Sequence, residues 1–244
     1  MGKYTGSTEA ENVFMKQQTF LEESDYNDSR YANLTAQEIS RCEEVAANPH
    51  ENLARYLGVE TEVISGVERV IRIAYKRYTM DLDTFVLEKR LLKKDNLDLI
   101  VQGLRNGMQH LHKLGLVHCD LWPLNVFVTC REEDGKLMLK EVVIGDFDAS
   151  LKIGEPVALK RACEESWPPE VKWRDLAAPH IDQWSLQKME NWLGDWLKEN
   201  GLDEYVRDSA AYTSPLWPDP SDSSDAETAD ETVDDLQGNG PIEW

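Results

Sequence analysis

The 244-residue sequence lacks several features that would each indicate a particular class of protein. Its four cysteines are widely spaced, without a CxxC pair or a Cys/His cluster at zinc-site spacing, so we expect reduced thiols and no zinc site. No apolar run approaches the roughly 18 residues that a transmembrane helix needs. The first residues also lack the apolar core of a signal peptide. We therefore expect an intracellular protein, either cytoplasmic or nuclear.

Positive charge is also scarce in this chain. There are 26 Lys and Arg residues against 46 Asp and Glu residues, which gives a formal net charge of -20. Such a chain does not neutralise nucleic acid phosphates and is repelled by anionic membranes, so we expect neither partner. Half of the net charge lies in residues 208–244, where ten acidic residues occur without any Lys or Arg. That segment is predicted to be an acidic disordered tail.

The rest of the chain alternates strand-like and helical patterns, which predicts an α+β fold. Helices are predicted from Thr35, where Glu38 completes a capping box, from Asp95, and over residues 181–198 with Trp184 facing inward. The predicted strands cover residues 12–16, 54–59, 70–75, 126–129 and 141–144.

The residues with the most specific spacing lie in the segment VHCDLWPLNVFV. This segment contains His118, Asp120 and Asn125, and Asp146 follows it across a predicted β-hairpin. We expect Asp120, Asn125 and Asp146 to converge at one rim of the fold. Two carboxylates and an amide oxygen form a hard-oxygen site suited to Mg²⁺ with phosphate. A remaining carboxylate would then be available to orient a hydroxyl nucleophile.

This pattern resembles the protein kinase catalytic loop H-R-D-L-x-x-x-N followed by the magnesium motif D-F-G. The chain is identified as a member of the protein kinase-like superfamily over roughly residues 12–198, similar to small fungal kinase-like proteins in shortened form. The resemblance implies ATP and Mg²⁺ as cofactors, with Asp120 and Asn125 as catalytic residues. It further implies that Asn125 and Asp146 are the metal ligands and that His118 is structural.

Motifs upstream of the catalytic loop extend the resemblance. The sequence V-F-M-K that ends at Lys16 looks like the V-A-I-K strand, whose lysine holds the phosphates of ATP. Glu38 lies 22 residues later, where the family places the partner of that lysine. The segment 76–84, after the strand 70–75, would be the hinge between two lobes, and its backbone around Tyr78 and Met80 would meet the adenine there. The resemblance thus adds four residues to the ATP-binding site.

Motifs downstream of the loop imply structural roles and complete the expected architecture. Glu170 stands in P-P-E, at the place of the A-P-E motif, and Asp182 in I-D-Q-W-S-L would brace the catalytic loop. The resemblance implies a bilobal kinase-like fold with a reduced β-rich N-lobe and a shortened helical C-lobe. The expected divisions are a flexible N-terminus at 1–11, the reduced N-lobe and hinge at 12–80, the C-lobe at 81–207 and the acidic disordered tail at 208–244.

Three departures from the family pattern bear on activity. Residues 1–12 contain only Gly2 and Gly6 and are too few for the glycine-rich hairpin that covers ATP. Trp122 stands where protein kinases usually have a lysine that contacts the γ-phosphate, so transition-state stabilisation is reduced. Asp148 replaces the glycine of D-F-G, and Asp adopts left-handed backbone angles less easily than Gly.

Three functions therefore remain open on the sequence. The first is an ATP-dependent protein kinase-like phosphotransferase that moves the γ-phosphate to a protein Ser/Thr hydroxyl. The second is a catalytically impaired pseudokinase or scaffold, and the third is a small-molecule phosphotransferase of the aminoglycoside or choline kinase type. The sequence does not predict the protein substrate or partner, or the oligomeric state.

Overall fold

A computed structural model describes residues 1–17, 29–158 and 166–202 of the chain. Its strands are β1 (Val13–Lys16), β2 (Tyr56–Ile64), β3 (Val67–Lys76), β4 (Met80–Asp81), β5 (Leu116–Val117), β6 (Val126–Glu133), β7 (Lys136–Ile144) and β8 (Leu151–Lys152). Its α-helices are α1 (Ser29–Ala47), α2 (Lys94–Lys113) and α3 (Pro179–Glu199). Short helical turns lie at Thr84–Glu88, Pro123–Asn125 and Phe147–Ala149. The predicted tail, residues 208–244, lies outside the described residues.

The first half of the fold is an antiparallel sheet in the order β1-β3-β2, with α1 beside it. Strands β2 and β3 form a hairpin whose turn, Ser65-Gly66, has φ angles of 53° and 77°. Two positive φ angles are what a two-residue type I′ hairpin turn requires. Residues Ile39, Cys42 and Val45 of α1 are buried and form part of the main core.

Helix α1 begins earlier than the sequence predicted. It begins at Ser29, so Thr35 lies inside the helix and does not cap it. The Thr35 hydroxyl donates a hydrogen bond to the Tyr31 carbonyl at 3.0 Å, one turn back along the same helix. Threonine makes this backward bond readily in helix interiors. The predicted capping box of Thr35 and Glu38 is therefore wrong, although both residues are helical.

The first residues of the chain pair with β2, in a segment that the sequence predicted to be flexible. The Tyr4 N–H donates to the Val59 carbonyl, and the Val59 N–H donates to the Gly2 carbonyl, both at 2.9 Å. Gly58 permits this approach because its φ is +127° and a Cβ there would lie 2.7 Å from the Tyr4 nitrogen. Residues 2–4 thus extend the sheet beside β2.

The second half of the fold is built around α2. One apolar stripe of α2 is buried: Leu97, Ile100, Val101, Leu104, Met108 and Leu111. Two glycines on α2 make room for Asn52, because a Cβ at Gly107 would lie 2.7 Å from the Asn52 carbonyl oxygen and one at Gly103 would lie 2.9 Å from its side-chain nitrogen. Asn52 in turn accepts a backbone hydrogen bond from Ile144 at 2.9 Å. These contacts fix the end of β7, from which the chain continues to Asp146.

Helix α3 packs with a different face from the one the sequence predicted. Asp182, Met189 and Leu193 are buried, but Trp184 is 39% exposed, so its predicted inward orientation is wrong. Residues advance by roughly 100° along an α-helix. Trp184 therefore lies about 200° around the helix from the buried Asp182. In the described part of the chain, no helix is long and apolar enough to span a membrane.

Candidate active site

A cleft of about 380 Å³ lies between the sheet of β1 and β3 and the sheet β4-β6-β7. Six residues that the sequence assigned to the site line this cleft: Lys16, Glu38, Tyr78, Met80, Asn125 and Asp146. Asp120 is nearly buried, with 6% of its surface exposed, and lies next to Asn125. The fold thus gathers residues that are more than a hundred positions apart in the sequence.

Lys16 is surrounded by three carboxylates. Its Nζ atom lies 2.9 Å from Glu38 Oε1, 2.6 Å from Asp146 Oδ1 and 3.8 Å from Asp148 Oδ2. Burial alone would lower the pKa of Lys16, but the nearby carboxylates outweigh it and raise the pKa. Lys16 is therefore a permanent positive charge, fixed at the end of β1 and directed into the cleft.

Glu38 is a buried carboxylate on the facing side of α1, with 4% of its surface exposed. Burial raises the pKa of Glu38, while Lys16 and a hydrogen bond from the Tyr75 hydroxyl act in the opposite direction. The Tyr75 hydroxyl donates to Glu38 Oε1 at 2.6 Å. Glu38 is thus held from two sides, by β1 and by β3.

The catalytic-loop residues are locked to each other and to the residue before Asp146. The Asn125 amide donates to the Asp120 carbonyl at 2.8 Å and to Asp120 Oδ2 at 3.2 Å. Since this amide nitrogen points toward Asp120, the amide oxygen of Asn125 remains to act as a ligand. His118 Nδ1 accepts the Asp120 N–H at 3.3 Å, so His118 Nε2 donates to the Gly145 carbonyl at 2.9 Å.

Asp182 lies beneath this loop and accepts hydrogen bonds from its backbone. Its two oxygens accept the N–H groups of His118 at 2.8 Å and Cys119 at 2.9 Å, and His112 Nε2 lies 2.9 Å away. Complete burial would raise the pKa of Asp182, but these hydrogen bonds and the two histidines lower it overall. Cys119 has a φ of 63°, and the bond to Asp182 holds it in this left-handed conformation.

Glu170 and Tyr78 differ in their relation to the cleft. Glu170 is exposed and is not among the residues that line the cleft. Tyr78 lines the cleft, but its hydroxyl accepts the Arg55 N–H at 3.0 Å and its ring stacks on Phe127 at 6.1 Å. Burial raises the pKa of Tyr78 to about 12, so this hydroxyl stays neutral.

Helix α1 is also tied to the segment after Asp146, which sequence reasoning missed. Gln37 Nε2 donates to the Asp148 carbonyl at 3.0 Å. The buried Arg41 donates to the Ser150 carbonyl at 3.3 Å and pairs with Glu155 at 2.7 Å. Helical spacing could have placed Arg41 one turn from Glu38, and Gln37 on the same face as Arg41. It could not have identified their partners more than a hundred residues away.

The donor chemistry around Lys16 fits a divalent cation such as Mg²⁺. Carboxylate oxygens of Glu38, Asp146 and Asp148 all lie within 4.8 Å of one another. Asn125 adds an amide oxygen to the lining of the same cleft. Mg²⁺ prefers oxygen ligands and is usually bound by one or two carboxylates together with substrate phosphates. The arrangement therefore offers oxygen ligands for a cation beside the positive charge of Lys16.

Comparison with known proteins gives consistent results. The model of the protein kinase domain family matches residues 5–189. The serine/threonine-protein kinase unc-51 of Caenorhabditis elegans is 26% identical over 164 residues, which are 66% of this chain and 19% of that protein. Human serine/threonine-protein kinase H1 is 25% identical over 127 residues, which are 51% of this chain and 29% of that protein. The chain thus spans less than a third of the length of these relatives.

A solved structure shows the same fold. The crystal structure of the yeast RNA Pol II CTD kinase CTDK-1 complex contains a chain that superimposes with a TM-score of 0.56 at 17% identity. The match covers 75% of this chain and 55% of that one. The bilobal kinase-like α+β fold expected from the sequence is therefore confirmed. Because the family model covers most of the chain, this protein belongs to the protein kinase domain family.

Proposed function

We propose that this chain is an ATP-dependent protein kinase-like phosphotransferase that moves the γ-phosphate of ATP to a Ser/Thr hydroxyl of a protein. The observation that carries the proposal is the contact of Lys16 with both Glu38 at 2.9 Å and Asp146 at 2.6 Å in one cleft. This arrangement fixes the Lys16 ammonium beside a set of carboxylate oxygens, which are the kind of ligand that Mg²⁺ prefers. The family model and the curated relatives are protein kinases, which favours a protein acceptor over a small molecule.

The proposed roles follow from where each side chain lies. The adenine would enter the cleft beside the segment that contains Tyr78 and Met80, and Lys16 would contact the phosphates. Asn125 and Asp146 would hold Mg²⁺, which neutralises phosphate charge when it is bound. Their oxygens suit that role because both residues line the cleft beside Lys16.

Asp120 would accept the proton of the substrate hydroxyl. Its carboxylate is nearly buried, and Asn125 donates to its Oδ2 atom, which fixes the orientation of the group. A general base must be oriented within hydrogen-bond reach of the proton that it removes. The Asp182 bonds to His118 and Cys119 support this orientation, because they hold the backbone just before Asp120.

A second candidate function, a pseudokinase that binds nucleotide without transferring phosphate, is favoured by two residues. Trp122 is half-buried and offers no positive charge at the position where the family has a lysine. Asp148 adds a third carboxylate near Lys16, at 3.8 Å. Both changes reduce the positive charge available to a transferring phosphoryl group. The two candidates share a nucleotide site and differ only in the chemical step.

The test compares Asp120→Asn with Asp98→Asn, an exposed aspartate on α2 that serves as the matched control. With labelled ATP and a mixture of protein substrates, we expect Asp120→Asn to lose transfer by about 10²–10⁴-fold, the usual contribution of general acid–base catalysis. Asp98→Asn should transfer at the wild-type rate. MgATP binding, measured by calorimetry, should survive in both variants.

The outcomes separate the candidates. Equal transfer by wild type and Asp120→Asn would contradict the role of Asp120. Binding of MgATP by the wild type with no transfer would replace the kinase proposal with the pseudokinase. No binding of MgATP by the wild type would contradict both nucleotide-dependent candidates and favour a scaffold that uses no nucleotide.

A further inference from the structure

Tyr75 occupies a position in the site that neither the sequence nor the proposed function assigns. It is the next-to-last residue of β3, is 6% exposed, and lies at the back of the cleft. Its hydroxyl lies 2.6 Å from Glu38 Oε1 and 3.0 Å from Cys42 Sγ. Glu38 and Cys42 are four residues apart on α1 and therefore share one face of the helix. Tyr75 thus joins β3 to the face of α1 that contains Glu38.

The directions of these hydrogen bonds follow from the chemistry of the three groups. An ionised carboxylate only accepts, so the Tyr75 hydroxyl donates to Glu38. The lone pairs of the hydroxyl then accept the weak thiol donor of Cys42. The same Glu38 oxygen contacts Lys16 Nζ at 2.9 Å. One carboxylate oxygen therefore receives a tyrosine hydroxyl from β3 and an ammonium from β1.

A buried carboxylate needs such partners. Glu38 is only 4% exposed, and taking a charge out of water is costly unless it is paired and hydrogen-bonded. If Lys16 contacts phosphate, its three N–H donors are shared between the phosphate and the carboxylates. Glu38 would then keep only part of its interaction with Lys16. The Tyr75 hydroxyl does not face that competition, because it has a single proton and donates it to Glu38.

We propose that Tyr75 is a positioning residue, which holds the Glu38 carboxylate against Lys16 and keeps α1 docked whether or not nucleotide is present. The consequence for nucleotide binding rests on the proposed function. The consequence for Glu38 itself does not, because it concerns only the contacts described above. Tyr75 need not touch the nucleotide in this role, since it acts through Glu38 and Lys16.

The chain offers a matched control for the same kind of hydrogen bond. Tyr56 lies on β2, and its hydroxyl donates to Glu43 Oε1 on α1 at 2.9 Å. The rings of Tyr56 and Tyr75 are neighbours, with centroids 6.1 Å apart. Both tyrosines therefore join the sheet to a glutamate of α1, but only Tyr75 reaches the glutamate that contacts Lys16.

The experiment compares Tyr75→Phe with Tyr56→Phe in the full chain. The first measurement is a carboxyl ¹³C NMR titration of Glu38. Because the Tyr75 hydrogen bond lowers the pKa of Glu38, its removal will raise that pKa. The second measurement is MgATP affinity by calorimetry, where we expect a loss of roughly tenfold for Tyr75→Phe, typical of one hydrogen bond to a charged group. Tyr56→Phe should leave both quantities unchanged.

The pH dependence adds a signature that loss of packing would not produce. With the pKa of Glu38 raised, the carboxylate is protonated at a higher pH, so the variant should lose MgATP affinity at a higher pH than the wild type during acidification. The ionisable groups that face Glu38 are Lys16 from β1, Tyr75 from β3, Cys42 from α1, and Asp146 and Asp148 after β7. The variant changes only one of these groups.

Each outcome decides the proposal. An unchanged Glu38 titration in Tyr75→Phe would overturn it, as would an equal loss of affinity in Tyr56→Phe. If the wild type binds no MgATP, the proposed function fails and the Glu38 titration alone decides. If Tyr75→Phe does not fold, the hydroxyl proton of Tyr75 is followed in the wild type. Its resonance should shift as Glu38 titrates, and a resonance independent of that titration would overturn the proposal.

Discussion

Replacing Asp148 with asparagine should change how strongly nucleotide binding depends on Mg²⁺. Lys16 carries one positive charge, and Glu38, Asp146 and Asp148 carry three formal negative charges within ion-pair distance of it. The cluster thus has a formal charge of two negative units when all four groups are ionised. A triphosphate without its cation is repelled by such a cluster. Asp148→Asn removes one of the negative charges while keeping the shape of the side chain.

The size of the effect follows from Coulomb's law. A carboxylate at roughly 7 Å from a phosphate charge, with an effective dielectric constant of about 40, contributes about 1 kcal/mol of repulsion per charge. ATP carries several charges, so we expect metal-free ATP to bind about 10-fold to 30-fold more tightly to Asp148→Asn than to the wild type. MgATP affinity should change by less, because the cation already offsets the phosphate charge.

The assay is a calorimetric titration of ATP into each protein, once with Mg²⁺ and once with a chelator. Asp98→Asn, which removes an exposed charge from α2, is the control and should behave as the wild type. A fall in metal-free ATP affinity for Asp148→Asn would refute the electrostatic reasoning. A large loss confined to MgATP would instead identify Asp148 as a ligand of the cation.

Two further predictions concern stability. Asp182→Asn leaves an amide N–H₂ facing the backbone N–H of His118 or Cys119, so it should lower the free energy of unfolding by roughly 3 kcal/mol in urea titrations. Folding lowers the pKa of Asp182, so its contribution to the free energy of unfolding is present above the unfolded pKa and is lost as pH falls through the folded pKa. A wild-type stability that does not change on acidification would contradict this. Gly107→Ala places a Cβ 2.7 Å from the Asn52 carbonyl oxygen, so it should lower the free energy of unfolding by about 1–3 kcal/mol and lower the melting temperature. An unchanged melting temperature would show that α2 can shift away from Asn52.

The sequence was enough to predict the fold class and to expect that several residues of the candidate site lie close together. The spacing of Asp120 and Asn125, with Asp146 across a hairpin, was enough to expect their convergence, and the cleft brings Asn125 and Asp146 together beside Lys16. Such spacing is informative because loops and strand ends seldom place three polar side chains at these separations by chance. The assigned roles of these residues stay predictions until binding and transfer are measured.

Other features could not be read from the sequence because local patterns leave them undetermined. Thr35 with Glu38 has the pattern of a capping box, but the same pair also fits a helix interior, where the hydroxyl bonds back one turn. Trp184 was assigned inward because it is large and apolar, whereas the buried face of α3 includes the charged Asp182. Strand alternation gives the face of Tyr75 but not its partner on α1.

The ties from Gln37 and Arg41 to residues 148–155 have a consequence for how the molecule opens. Arg41 lies three residues from Glu38, so the helix turn that reaches the cleft also contacts Ser150 and Glu155. Neighbouring segments often open together as one cooperative unit, which amide-proton exchange measures. A partner that draws residues 150–155 outward would therefore pull on the turn of α1 that contains Glu38, against the Tyr75 hydrogen bond and without touching the cleft itself.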